Sequence, residues 1–183
     1  MKIRIGVMGS ASDSGSPESR GILTEKAEGL ATAIAKRQVI LLTGATTGIV
    51  YLVGKGAHEA GVLHVGISPA SNEREHTEHY KLPVDACDML VYTGFGLKGR
   101  NVVLVRSCDV VLFIAGAMGS LNEFTIAHDE GKIIGCLTGT GGVADESAYL
   151  VENFGKRTSA RLFREDDPER LLEVCTENLT LGN

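Results

Sequence analysis

Four glycine- and hydroxyl-rich turns, an arginine at 100 and a glutamate at 123 hold the residues that could do chemistry. The turns lie at 9–12, 43–48, 116–120 and 139–142, each after a short apolar run. Glycine lets backbone N–H groups approach a ligand, and a helix start adds partial positive charge, so such turns can cradle a phosphate. The first turn offers Gly9, Ser10 and Ser12, and the second Gly44, Thr46, Thr47 and Gly48. The third offers Gly116, Ala117, Met118, Gly119 and Ser120. No turn ends in Gly-Lys-Ser/Thr and no G-x-G-x-x-G follows the first strand, so the P-loop and the usual dinucleotide fingerprint are both missing. Arg100 can hold phosphate or ribose oxygens with a planar pair of donors. Glu123 can stabilise cationic character on a ribose or align a water. Ser120-Leu121-Asn122-Glu123 also reads as a capping box, with Ser120 as N-cap and Glu123 reaching back to it. Both roles stay open for Glu123.

These groups need elements to place them. Apolar runs at 3–8, 39–42, 63–67, 89–92, 110–114 and 132–137 read as strands, with a further short strand at 160–164. Helical spacing covers 18–37, 48–60, 98–107, 120–130, 145–153 and 168–178. Strands and helices alternate, and the strands are apolar throughout, as doubly buried strands are. The expected fold is α/β: a Rossmann-like, doubly wound, mostly parallel sheet of about six or seven strands, with helices on both faces. Residues 1–183 read as a single nucleotide-binding domain. In such a sheet ligands bind beyond the carboxyl ends of the strands, where the four turns fall.

Composition removes other classes. The net charge of −5 leaves no basic footprint for nucleic acid, and 5% aromatics without Trp are too few for base-stacking platforms. No apolar stretch approaches the roughly 18 residues of a membrane span. The opening Met-Lys-Ile-Arg reads as too charged for a signal peptide. Cys87, Cys108, Cys136 and Cys175 are widely spaced, so buried thiols in a reducing cytoplasm are expected rather than zinc or disulfides. The 23 glycines cluster instead of repeating, which excludes collagen. The irregular stretch 68–86 carries His76 and His79 in H-x-x-H spacing; the readings are a solvated polar loop, a metal pair or a lid. No metal site and no cofactor are expected. His58 and His64 read as packing or surface residues, and Asp109 as a turn or helix-end partner.

Gly99-Arg100-Asn101, then Arg106-Ser107-Cys108-Asp109, then Ala115 through Glu123, resembles the LOG ("lonely guy") family, once mislabelled lysine decarboxylase. That family's signature is an Arg before a helix, an Asp opening a strand, then P-G-G-x-G-T-x-x-E. The resemblance covers roughly 2–140, and molybdenum-cofactor carrier proteins are a related branch. It implies a Rossmann-like fold, a homodimer, and hydrolysis of nucleoside 5′-monophosphates to free base and ribose 5-phosphate, with Arg100 and Glu123 as the essential pair. Here Ala115 stands for the motif's Pro, Ala117 for its second Gly and Ser120 for its Thr. The alternative is therefore a non-catalytic binding or carrier protein for a nucleotide or a phosphorylated pterin such as molybdenum cofactor.

Overall fold

The computed structural model describes residues 1–10 and 17–180. The chain runs β1 (Ile3–Gly9), α1 (Pro17–Ala35), β2 (Val39–Thr43), α2 (Ile49–Glu59), β3 (Leu63–Ser68), β4 (Met89–Tyr92), α3 (Gly96–Arg106), β5 (Val110–Ile114), α4 (Met118–Asp129), β6 (Ile133–Leu137), α5 (Gly142–Phe154), β7 (Arg161–Glu165) and α6 (Pro168–Thr180). All seven strands are parallel in one sheet of order β4-β3-β2-β1-β5-β6-β7. The expected Rossmann-like α/β fold is the fold observed.

The strands are apolar in both phases because both faces are covered. Ile5, Val7, Leu41, Val110, Leu112 and Ile114 turn to one face, under α1, α2 and α6. Met8, Leu42, Val111, Phe113, Ile134 and Cys136 turn to the other, under α3, α4 and α5. A strand's period of two makes this alternation automatic once every position is apolar. Cys108, Cys136 and Cys175 are buried free thiols, Cys87 is half-buried, and burial pushes all four up to about 12. No helix among the described residues is long and apolar enough to cross a membrane.

Register sets the stage for the site. Gly9 lies opposite Ile114, and Val7 opposite Thr43, so β1, β2 and β5 end nearly level. Asp109 ties the other end of this seam. Its carboxylate accepts from the Arg4 backbone and guanidinium, and its own N–H donates to the Arg4 carbonyl. That makes Asp109 a structural partner of β1.

Two of the differences from the sequence expectation concern residues singled out above. Helix α4 starts at Met118, not at 120, so Ser120 lies inside its first turn. The stretch 68–86 is not irregular throughout: residues 75–79 form a π-helical turn. Just ahead of it, Asn72 Oδ1 accepts from Glu75 N (3.0 Å) and Glu75 Oε2 accepts from Ser71 N (2.7 Å).

Glycine is indispensable where α5 begins. Gly142 has φ +57°, and a Cβ there would stand 2.1 Å from the Gly116 carbonyl oxygen. Gly21, in α1, has open space around it. Gly142→Ala is therefore expected to cost about 3 kcal/mol or more, through strain and a backbone clash. Gly21→Ala should stabilise by about 0.5–1 kcal/mol from helix propensity. Urea midpoints of the two variants check both signs.

Candidate functional site

The chain leaves β1 towards β2 on one side and leaves β5 towards β6 on the other. Between them the strand order reverses, and a crevice opens beyond their carboxyl ends. It holds a cleft of about 280 Å³, lined by Gly9 and Ser10 after β1, by Gly44, Thr46 and Val50 around the start of α2, by Leu97, Lys98, Arg100 and Asn101 of α3, and by Ala117, Gly119, Ser120 and Glu123 at α4.

Arg100 and Glu123 face each other from the packed helices α3 and α4. Arg100 Nη1 lies 3.4 Å from Glu123 Oε1, with side chains only 6% and 8% exposed. Burial pushes the Glu123 carboxyl up to about 7, while Arg100 and then Lys98 pull it back. Burial also lowers Arg100, opposed by Glu123. A lone buried charge at either position would be costly, so the pair holds together by mutual compensation. Assigned by its hydrogen-bonding surroundings, the Asn101 amide nitrogen donates to Glu123 Oε1 and to the Leu97 carbonyl, each at 3.0 Å. Arg100 Nε is buried with no partner among the described residues.

The guanidinium needs a flat seat, and Gly44 supplies it. A Cβ at Gly44 would stand 2.0 Å from Arg100 Nη1. Gly44 is thus required by the close approach of a protein side chain, in addition to lining the cleft.

Across the cleft, α4 presents its N-terminus. Ala117 is the N-cap, and no side chain among the described residues caps it. The N–H groups of a first helical turn have no intrahelical acceptor, and the helix dipole adds positive character there. Gly119 opens this end, with Lys98 Nζ 3.7 Å from where its Cβ would be. Ser120 Oγ donates to the Gly9 carbonyl (3.0 Å) and ties α4 to β1. The capping box is therefore corrected: Ser120 is not the N-cap, and Glu123 pairs with Arg100 instead of reaching back.

The turn before α4 also departs from the LOG pattern. Ala115 has φ +54°, a value closed to proline, whose ring fixes φ near −65°. Ala117 is extended at φ −115°, so its methyl group meets no backbone strain. The fourth glycine turn, 139–142, braces this one. Ala115 N donates to Thr140 Oγ1 (2.8 Å), and Val143 N and Ala144 N donate to the Gly116 and Ala115 carbonyls (3.0 Å each). Asp145 accepts from Gly139 N and Gly141 N. That turn supplies none of the cleft lining.

Of the residues singled out from sequence, Gly9, Ser10, Gly44, Thr46, Ala117, Gly119 and Ser120 meet in the cleft with Arg100 and Glu123. Thr47, Gly48, Gly116 and Met118 lie outside its lining, and the Met118 side chain is exposed. Ser12 falls outside the described residues. Lys98 and Asn101 were missed, although both adjoin Arg100 on one helix. His76 is turned inward: Nε2 donates to the Pro83 carbonyl (3.0 Å), and Nδ1 pairs with Ser68 Oγ (2.8 Å). It does not form a metal pair with His79, which stacks edge-on against Tyr80. The segment is stitched to the start of α3 by Gly94 N to Ala70 O (2.8 Å) and Gly96 N to Pro69 O (3.0 Å). It braces α3 and adds no residue to the cleft lining.

A sequence model of the SLOG cluster4 family matches residues 2–172. The chain belongs to the SLOG cluster4 family. An uncharacterized protein of Archaeoglobus fulgidus is 32% identical over 104 residues, which are 57% of this chain and 63% of that protein. The match thus spans a little under two thirds of that relative's length. Among solved structures, the X-ray structure of TM1055 superposes with a TM-score of 0.81 at 27% identity, over 97% of this chain and 99% of the other. The molybdenum cofactor binding protein of Rippkaea orientalis gives 0.77 at 26%, over 98% of both chains. The molybdenum cofactor carrier protein of Chlamydomonas reinhardtii gives 0.75 at 24%, over 98% and 99%, which shows the shared fold. The LOG-like superfamily and its carrier branch are thus the right neighbourhood.

Glu123 couples folding to pH. Its carboxyl takes a proton near pH 7 in the folded chain and near 4.5 in the unfolded one. The folded state holds that proton more tightly, so the associated stability is complete below about pH 4.5 and is lost as pH rises to about 7. The unfolding free energy of the wild type minus that of Glu123→Gln should fall across this window, by at most about 1.4 kcal/mol per pH unit, and stay flat above it. Urea denaturation from pH 4 to 8 measures the difference.

Proposed function

We propose that this chain binds a phosphorylated small molecule in the β1–β5 cleft and serves as a binding or carrier protein for a nucleotide or a phosphorylated pterin of the molybdenum-cofactor type. The observation that carries this is the uncapped N-terminus of α4 with Lys98 Nζ beside Gly119. Backbone N–H groups, a helix dipole and one exposed ammonium are the elements of a phosphate site. The rest of the ligand would lie towards Arg100, whose guanidinium lines the cleft and could donate to a carbonyl or hydroxyl oxygen. Two proteins named for binding or carrying molybdenum cofactor share the fold over nearly their whole length, which supports the same reading. The proposal includes a homodimer and a reducing cytoplasm, where free thiols such as these persist.

A second reading is phosphoribohydrolase action, favoured by the buried Arg100–Glu123 pair itself. Glu123 would stabilise the cationic ribose as the N-glycosidic bond breaks and water adds at the anomeric carbon. The backbone at Ala115, which excludes the LOG proline, weighs against this reading.

Chromatography after incubation with AMP, other nucleoside monophosphates and phosphorylated pterins separates the two. A carrier retains its ligand unchanged and gains melting temperature. Free base with ribose 5-phosphate, abolished in Glu123→Gln, establishes the hydrolase. Calorimetry on Lys98→Ala should show the phosphorylated ligand bound about tenfold more weakly, equivalent to about 1.4 kcal/mol, with a shallower salt dependence.

A further inference from the structure

The seat of Arg100 is a strained turn. Ala45 follows Gly44 with φ +51° and is 4% exposed. A left-handed alanine costs about 1–2 kcal/mol, so something must hold it. The holder is Thr43, whose Oγ1 accepts from Ala45 N at 3.2 Å. Thr43 is itself held, since its hydroxyl pairs with His64 Nε2 at 2.9 Å.

His64 in turn is locked from three sides. Its Nδ1–H donates to the Ala86 carbonyl, which leaves Nε2 as the acceptor for the Thr43 proton. Its backbone N–H donates to Asp88 Oδ2 at 2.8 Å. Gly54 of α2 makes room for the ring: a Cβ there would stand 2.5 Å from His64 Cε1. The imidazole is 2% exposed, and no ligand could reach it without displacing the turn. A buried, fully partnered histidine is more than filler here, because the chain of contacts ends on the guanidinium. It runs from Ala86 to His64, Thr43, the Gly44–Ala45 turn, Arg100 and finally Glu123.

We propose that His64 is a positioning residue of the cleft: through Thr43 it locks the Gly44–Ala45 turn on which Arg100 rests, and so fixes the guanidinium opposite Glu123. The inference concerns the geometry of the cleft floor and holds whichever ligand the cleft takes. His64 touches no cleft atom directly.

The test reads Glu123, not stability, because any buried substitution lowers stability. Carbon-13 NMR of carboxyl-labelled glutamate follows the Glu123 titration in the full chain. Thr43→Val keeps the side-chain shape and removes the hydroxyl, while Thr43→Ser keeps the hydroxyl. In Thr43→Val the turn relaxes, Arg100 loses its seat, and the Glu123 pKa should rise by about one unit. Thr43→Ser should titrate like the wild type. His64→Leu should reproduce the rise, and His64→Gln, whose amide oxygen can accept the Thr43 proton, should reverse most of it. Should His64→Leu not fold, the Thr43 pair decides alone. An unchanged or lowered Glu123 pKa in folded Thr43→Val overturns the proposal, as does a rise of equal size in Thr43→Ser.

Discussion

A salt bridge with almost no water around it governs this molecule's candidate site. Arg100 and Glu123 are each more than nine-tenths buried, yet they meet at 3.4 Å rather than in a tight bidentate contact. The Glu123 charge is costly there without the guanidinium beside it. The surrounding chain supplies what a close pair would otherwise provide: an Asn101 amide on the carboxylate, a glycine face under the guanidinium, and the positive start of α4 nearby. The sheet's alternation of apolar faces brings α3 and α4 onto one side, so two helices joined through β5 can present these groups to one crevice. Arg100 Nε is left buried without a partner among the described residues, an unmet donor beside the cleft.

The cleft divides its labour between backbone and side chains. At the α4 end, charge comes from a helix terminus and one exposed lysine. At the α3 end, it comes from fixed side chains in a dry setting. The glycine turns also divide. The turns after β1, β2 and β5 reach the cleft, whereas the one after β6 spends its hydroxyl and amides on holding Ala115 and the start of α5. Similar glycine content thus lines a cleft in one place and serves as scaffolding in another, and the hydrogen-bond partners tell them apart.

Much of this was legible in the sequence, for physical reasons. Strands buried on both faces must be apolar throughout, so β1, β2, β5 and β6 stood out. The short helices α3 and α4 flanking β5 are what bring the Arg100 and Glu123 side chains together, but the pair could be read only through the resemblance to the LOG motif. The start of α4 could not: Ser120-x-x-Glu123 satisfies the local rule for a cap, and only the tertiary contacts to Gly9 and Arg100 override it. Lys98 had no pattern of its own, and Asn101 stood in the Gly-Arg-Asn of the LOG resemblance without a role. The role of His64 depends on partners at Thr43 and Ala86, over twenty residues away in either direction. His76 looked like a ligand by spacing but packs as a buried strut, because its partners Ser68 and Pro83 come from the ends of its own loop.

The place of β1 at the centre of the sheet has a consequence for how the molecule comes into being. Its partner β2 follows about thirty residues later, but β5 arrives roughly a hundred residues after it, with three strands already made. Closing so long a loop is an entropic toll that local contacts cannot defray, and it places the β1–β5 seam late in assembly. The crevice lies on that seam. A nascent chain that has emerged only through β4 has a half-sheet with an open apolar edge and no cleft at all. The proposed ligand binding is in this sense a property of topological completion, and it would select chains that have finished folding.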